Sequence, residues 1–75
     1  MTLDEFVVAF ANEFDETPAE NFTPTTVFKE EEEWGSFVAL SIISMVDDEF
    51  EKTITGADLR SVATIEELYN LIQSK

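Results

Sequence analysis

Apolar residues recur at helical spacing at the start of the chain. The spacings of three and four place Leu3, Phe6, Val7, Phe10 and Phe14 on one stripe. Thr2 and Glu5 have the spacing of a capping box, which marks a helix start, and Pro18 opposes a continuation. We therefore predict a first helix from Leu3 to Asp15.

A second periodic segment begins at Ser36, which directly follows Gly35 and is predicted to be the N-cap residue. The apolar positions expected to face the core are Ala39, Ile42, Ile43, Val46 and Phe50. Val38 and Met45 are one heptad apart at the edge of that face, and we expect both to be partly exposed. They form either an apolar docking patch or an extension of the core.

The C-terminal end of this second helix is acidic. Asp47, Asp48, Glu49 and Glu51 lie close together there, although the helix dipole disfavours each anion at that end by a few tenths of a kcal/mol. We infer that the acids are kept for a partner.

The last third of the chain predicts two further helices. A turn over residues 53–56 precedes a short helical segment near residues 57–61. Thr64 and Glu67 then form a second capping box. It opens a final helix whose inward stripe is Ile65, Leu68, Tyr69 and Ile72. Because no strand-like alternation occurs, residues 1–75 are predicted to be one all-α domain, with three main helices, one short helix and a long first loop.

The long loop, residues 17–35, contains both prolines and a threonine cluster. Compact domains rarely keep so long a connection without a use for it. We expect Phe22, Val27 and Phe28 to hold the loop against the core, and the run Glu30–Glu33 to be solvated. Trp34 is either a pocket lid or a loop anchor.

Composition limits the choice of partners. The 75 residues are 44% hydrophobic, too rich in apolar groups for a disordered chain. Seventeen acidic and four basic residues give a formal net charge of −13. Such a polyanion is repelled by nucleic acid and by anionic membranes, so a basic protein surface is the expected partner.

Several kinds of chemistry are excluded by residue type. The chain has no Cys and no His, which removes thiolate nucleophiles, Ser-His-Asp triads and the commonest metal ligands. Adjacent acids such as Asp47 and Asp48 have no cleft to raise a carboxyl pKa, so we predict neither an enzyme nor a metal site. Acids near the N-terminus do not resemble an export signal, and the expected location is the cytoplasm.

One segment carries a family resemblance. The stretch from Gly35-Ser36-Phe37 to Asp47-Asp48-Glu49-Phe50 resembles the second helix of acyl carrier proteins, in which a serine begins the helix and an acid-acid-acid-Phe sequence ends it. Residues 59–65 and 68–72 look like the short third and the fourth helix of that family. The resemblance extends over essentially the whole chain.

The resemblance implies an acyl-carrier-like four-helix bundle with a specific modification. Ser36 matches the serine that receives 4′-phosphopantetheine from coenzyme A, and the thiol of that arm carries acyl groups as thioesters in fatty-acid or polyketide biosynthesis. The implied partners are a phosphopantetheinyl transferase and acyl-transferring or condensing enzymes with basic or apolar docking patches. The carrier itself is expected to be a monomer.

The chain departs from the family pattern at three positions. Gly35 replaces the usual Asp before the serine, and Val38 and Ser41 stand where acids often occur. These changes imply a shifted docking surface and favour a specialised pathway. The residues assigned to that surface are Val38, Ser41, Met45, Asp47, Asp48 and Glu49.

An alternative interpretation is an unmodified pseudo-carrier, an acidic module of the same fold that docks to a basic partner through its second helix. The loss of the usual Asp at Gly35 motivates it. Stable complex formation that is insensitive to Ser36→Ala would favour this alternative.

Overall fold

Local side-chain hydrogen bonds define where three of the four helices begin. In the computed structural model, which describes all 75 residues, the helices are α1 (Leu3–Ala11), α2 (Ser36–Phe50), α3 (Gly56–Ser61) and α4 (Ile65–Gln73). Capping boxes open α1, α3 and α4, from Thr2, Thr55 and Thr64 respectively. The boxes at Thr2 and Thr64 confirm the sequence prediction, whereas the one at Thr55 was not predicted.

The chain is mostly helical and contains no strand, which confirms the all-α prediction. The long loop includes two short 3-10 turns, Ala19–Asn21 and Phe28–Glu30. Its backbone also joins α4: the N–H of Ile65 donates to Thr26 and that of Glu66 donates to Pro24, at 3.3 and 2.9 Å. These bonds use N–H groups that α4 leaves free at its start.

The first helix is shorter than predicted. It ends at Ala11, and the next two residues bond three positions back, Glu13 to Phe10 and Phe14 to Ala11. The N–H of Asp15 makes no helical bond and donates instead to a Glu33 carboxylate oxygen, at 2.7 Å. Phe14 nevertheless stays buried, as the apolar stripe indicated.

Aromatic rings fill the core. Phe10 contacts the rings of four other phenylalanines, among them Phe28 at 5.1 Å between centroids. Phe6 lies edge-on to Phe50 at 5.7 Å. These contacts tie α1 to the long loop and to the end of α2. The chain has seven phenylalanines, and Phe37 is the one that takes no part in this aromatic packing.

The loop predictions were partly wrong. Phe22 and Phe28 are buried, as expected, but the side chain of Val27 is 38% exposed. Val27 is held by its backbone, which pairs with Thr64 in an isolated bridge. Glu33 is not simply solvated, because its carboxylate accepts four hydrogen bonds. Trp34 is half-buried against Phe28, with 5.0 Å between ring centroids, and it anchors the loop.

Candidate functional site

The sequence predicted that Ser36 is the N-cap of α2. In the structure Ser36 is instead the first helical residue. Gly35 occupies the N-cap position and provides no side-chain hydrogen bond to the helix. The hydroxyl of Ser36 makes no hydrogen bond, and the residue is exposed. Serine is favoured at the N-cap position, but Gly35 occupies that position here, and the Ser36 hydroxyl does not cap the helix.

The N-terminal end of α2 has unused hydrogen-bond donors. The first bond at this end runs from Ala39 N–H to the Gly35 carbonyl. The N–H groups of Ser36, Phe37 and Val38 are therefore unpaired. No acidic residue lies in the first turn of α2. This end consequently presents the positive pole of a fifteen-residue helix to any anion that Ser36 carries.

Beside Ser36 lies a groove of about 480 Å³, formed by the end of the long loop, α2 and α3. We call it the Ser36 groove. Its volume is in the range of small-molecule sites. Half of its lining is apolar, and its residues are Lys29, Trp34, Gly35, Ser36, Ala39, Leu40, Ile43, Gly56, Leu59 and Arg60.

Two of the four basic residues of the chain border this groove. Lys29 Nζ donates to the carbonyls of Leu59 and Arg60, at 3.0 and 3.2 Å, and so caps the end of α3. The guanidinium of Arg60 has neither a hydrogen bond nor an ion pair. The ionisable side chains of the groove are thus positively charged, although the molecule as a whole is strongly anionic.

The predicted exposure of α2 was wrong on its apolar side. Val38 and Met45 are only 5% and 8% exposed, so they belong to the core and cannot form the apolar docking patch. Phe37 and Leu40 are 74% and 65% exposed instead. The helix is rotated so that Val38 and Met45 belong to the buried core, whereas Ala39, Ile43 and Phe50, predicted to face the core, are half-buried.

The remaining predicted docking residues lie toward the other end of α2. Asp47, Asp48 and Glu49 are exposed, and Ser41 is half-buried. Ser41, Asp48 and Glu49 border a second, polar depression of about 270 Å³, together with Glu13 and the edge of Met45. The exposed face of α2 therefore changes from apolar at Phe37 and Leu40 to acidic at Asp47 and Asp48.

Sequence reasoning missed four residues of this region: Phe37, Leu40, Lys29 and Arg60. Phe37 and Leu40 are three positions apart and share a helical face with Ser44 and Asp48. Because the other residues on that face are polar, the sequence already indicated that Phe37 and Leu40 are exposed. No comparable signal links Lys29 or Arg60 to Ser36, because only the folded chain brings them together.

Glu33 fixes the segment that leads into this site. Its carboxylate accepts the hydroxyl of Thr17 at 2.8 Å and the backbone N–H groups of Asp15, Glu16 and Thr17 at 2.7 to 3.0 Å. Partial desolvation raises the pKa of Glu33, but these hydrogen bonds outweigh it and hold the pKa below its ordinary value. Glu33 thereby positions Trp34 and Gly35, which precede Ser36.

No helix of this chain has both the length and the apolar character needed to cross a membrane. Comparisons with protein-family models, curated protein sequences and solved structures give no match to this chain.

Proposed function

We propose that this chain is a carrier protein whose Ser36 receives a 4′-phosphopantetheine arm from coenzyme A and which shuttles acyl groups between biosynthetic enzymes. The observation that carries the proposal is the exposed, unbonded hydroxyl of Ser36 at the free N-terminal end of α2, beside a half-apolar groove. The sequence resemblance points to the same serine.

The residues present fit such an arm. A phosphodiester on Ser36 Oγ would lie at the positive end of α2, near the unpaired N–H groups of Phe37 and Val38. When bound, the arm supplies the thiol that the chain itself lacks. The Ser36 groove has an apolar wall that includes Trp34 and Ile43. It has room for part of a bound chain beside the attachment point.

The attachment step needs a partner enzyme. Ser36 Oγ would displace the nucleotide part of coenzyme A at phosphorus, so that a new O–P bond forms while the phosphoanhydride breaks. The serine proton must be taken up by a base. The Ser36 groove contains only cationic ionisable side chains, Lys29 and Arg60, and therefore no carboxylate that could act as this base. A transferase accordingly supplies the base and binds the nucleotide.

The exposed face of α2 supports the assignment of partners. Phe37 and Leu40 present apolar surface next to Ser36, while Asp47 and Asp48 present anions farther along the same helix. A partner that reaches Ser36 would therefore need an apolar pocket near its catalytic centre to receive Phe37 and Leu40. It would also need basic side chains farther away, opposite Asp47 and Asp48. Charge complementarity of this kind speeds association and selects partners.

Loading with coenzyme A tests the proposal. The purified chain is incubated with coenzyme A and a broad-specificity phosphopantetheinyl transferase, and its intact mass is recorded. We expect the wild-type chain to gain one phosphopantetheinyl group and Ser36→Ala to gain none. Ser44→Ala, which removes an exposed serine from the same helix, is the matched control and should load normally. Failure of the wild type with several transferases would contradict the proposal.

The second candidate is the unmodified pseudo-carrier, and the apolar exposure of Phe37 and Leu40 favours it as a docking module. In that case the double variant Phe37→Ser, Leu40→Ser would abolish complex formation with a basic partner. Ser36→Ala would leave the complex intact. Loss of the complex in Ser36→Ala, but not in the double variant, would exclude this candidate.

A further inference from the structure

The Ser36 groove combines apolar walls with an unused cation. We propose that it recognises an apolar chain that ends in a carboxylate, and that Arg60 is the residue that binds the carboxylate. Where the chain acts as a carrier, this inference rests on the proposed function and assigns the acyl class: an acyl group with a second, free carboxylate at its far end. The groove itself is present without any modification of Ser36.

The guanidinium of Arg60 is free to bind a ligand. Three of the four basic side chains are already engaged: Lys29 caps α3, Lys52 donates 3.1 Å to the Ile72 carbonyl in α4, and Lys75 pairs with Asp58 at 3.1 Å. Arg60 alone has no polar partner, although the chain carries seventeen acids. A guanidinium is well suited to bind a planar carboxylate through two parallel hydrogen bonds.

Arg60 also lies at the border of the groove. Its guanidinium lies over Gly56, since a methyl group added at Gly56 would be 3.4 Å from Arg60 Nη1. Gly56 and Arg60 border the groove on the α3 side, whereas Leu40 and Ile43 border it on the α2 side. An apolar chain along α2 can therefore place its anionic end at Arg60.

Electrostatics make this site distinctive within the molecule. At a net charge of −13, the surface as a whole repels an anion. Non-specific apolar binding would therefore favour a neutral ligand over an anionic ligand with the same chain. Preference for the anion is expected only where a local cation overcomes that repulsion, and Lys29, which also lines the groove, adds to the local positive charge.

The groove contains its own spectroscopic reporters. The single tryptophan and both glycines of the chain line it, at positions 34, 35 and 56. The indole Nε1–H of Trp34 and the amides of Gly35 and Gly56 can therefore be followed in the unmodified protein. No activity of a loaded carrier is needed for this readout.

The test is a titration of the unmodified, ¹⁵N-labelled chain with hexanoate and, separately, with 1-hexanol. We expect the three reporters to shift with both ligands and hexanoate to bind about three-fold more tightly than the alcohol, as a partly exposed ion pair would allow. Arg60→Gln should remove or reverse the preference, and Arg60→Lys should keep part of it. Arg60 is exposed and unbonded, so both variants should fold.

A charge control separates this inference from a general charge effect. Lys52→Gln removes the same charge outside the groove and should leave the preference for hexanoate intact. Because the titration uses the unmodified chain, failure of arm attachment and failure of this inference are separate results. Equal or tighter binding of hexanol by the wild type, an unchanged preference in Arg60→Gln, or no shift with either ligand would overturn the proposal.

Discussion

Gly35 is the residue where the chain departs most clearly from the pattern of acyl carrier proteins, and its geometry shows what a substitution would do. Its backbone is extended, with φ −174° and ψ −175°, a conformation open to any residue. A Cβ added there would meet nothing within 4 Å. Neither backbone strain nor crowding therefore requires glycine at this position.

Gly35→Asp is expected to stabilise the protein. Aspartate at the N-cap can accept a hydrogen bond from the unpaired N–H groups of α2 and places a negative charge at the positive end of the helix. The expected gain in the free energy of unfolding is about 0.5 kcal/mol, measured by urea denaturation. Gly35→Asn, which caps without the charge, separates the two contributions. A loss of stability in both variants would contradict this description of the helix start.

The side chains of α2 show how far residue-scale prediction reached. Ile42 and Val46 are buried as predicted, but Val38 and Met45 are buried where partial exposure was expected. Because α2 is apolar along most of its length, a helical wheel does not clearly distinguish its buried face from its exposed face. The rotation of α2 is fixed by where α1 and the long loop pack, and the local pattern does not contain that information.

At the scale of elements, helix starts were easier to predict than helix ends. The capping boxes at Thr2 and Thr64 need only residues three positions apart, and both are present. The segment that follows the end of α1 is held by Glu33, whose carboxylate accepts the N–H of Asp15, eighteen positions earlier in the chain. Likewise, the Ser36 groove joins Lys29 to Arg60 across the fold. Such long-range contacts leave no periodic signal in the sequence.

Glu33→Gln is expected to destabilise the link between the loop after α1 and the entry to α2. Glutamine keeps only one acceptor oxygen, so at least one of the four donors loses its partner. The free energy of unfolding should fall relative to wild type, measured by urea denaturation at pH 7. Glu32→Gln, which removes the same charge from an exposed neighbour without a hydrogen bond, should change it much less.

The effect of Glu33→Gln should also depend on pH. Because the folded pKa of Glu33 lies below its ordinary value of 4.5, the carboxylate contributes stability above that value and loses it as the pH falls through the folded pKa. The difference between wild type and Glu33→Gln should therefore shrink between pH 7 and pH 3.5. A constant difference over this range would show that the charge of Glu33 has no part in the link.

At the scale of the whole molecule, the acidic charge opposes folding. The protein measures 29 × 24 × 20 Å, and the screening length is about 30 Å at 0.01 M salt but about 8 Å at 0.15 M. At low salt, every acid therefore interacts with acids across the whole molecule. Only one ion pair, Lys75 with Asp58, offsets the repulsion.

Added salt is accordingly expected to raise the melting temperature. The measurement is thermal unfolding, followed by circular dichroism, between 0.01 and 0.15 M NaCl. A variant with Asp47→Asn, Asp48→Asn and Glu49→Gln, which carries three fewer charges at the end of α2, should respond less to salt. A flat response of the wild-type protein would mean that its acids are too far apart to repel one another appreciably.

The phosphopantetheine arm proposed on Ser36 can be sought in the protein as cells produce it. The most direct measurement is the intact mass of the chain isolated from the cells that produce it, followed by fragmentation to locate any added group. We expect one phosphopantetheinyl group, attached to Ser36. A fully unmodified chain in cells whose other carrier proteins are loaded would contradict the claim and favour an unmodified docking module.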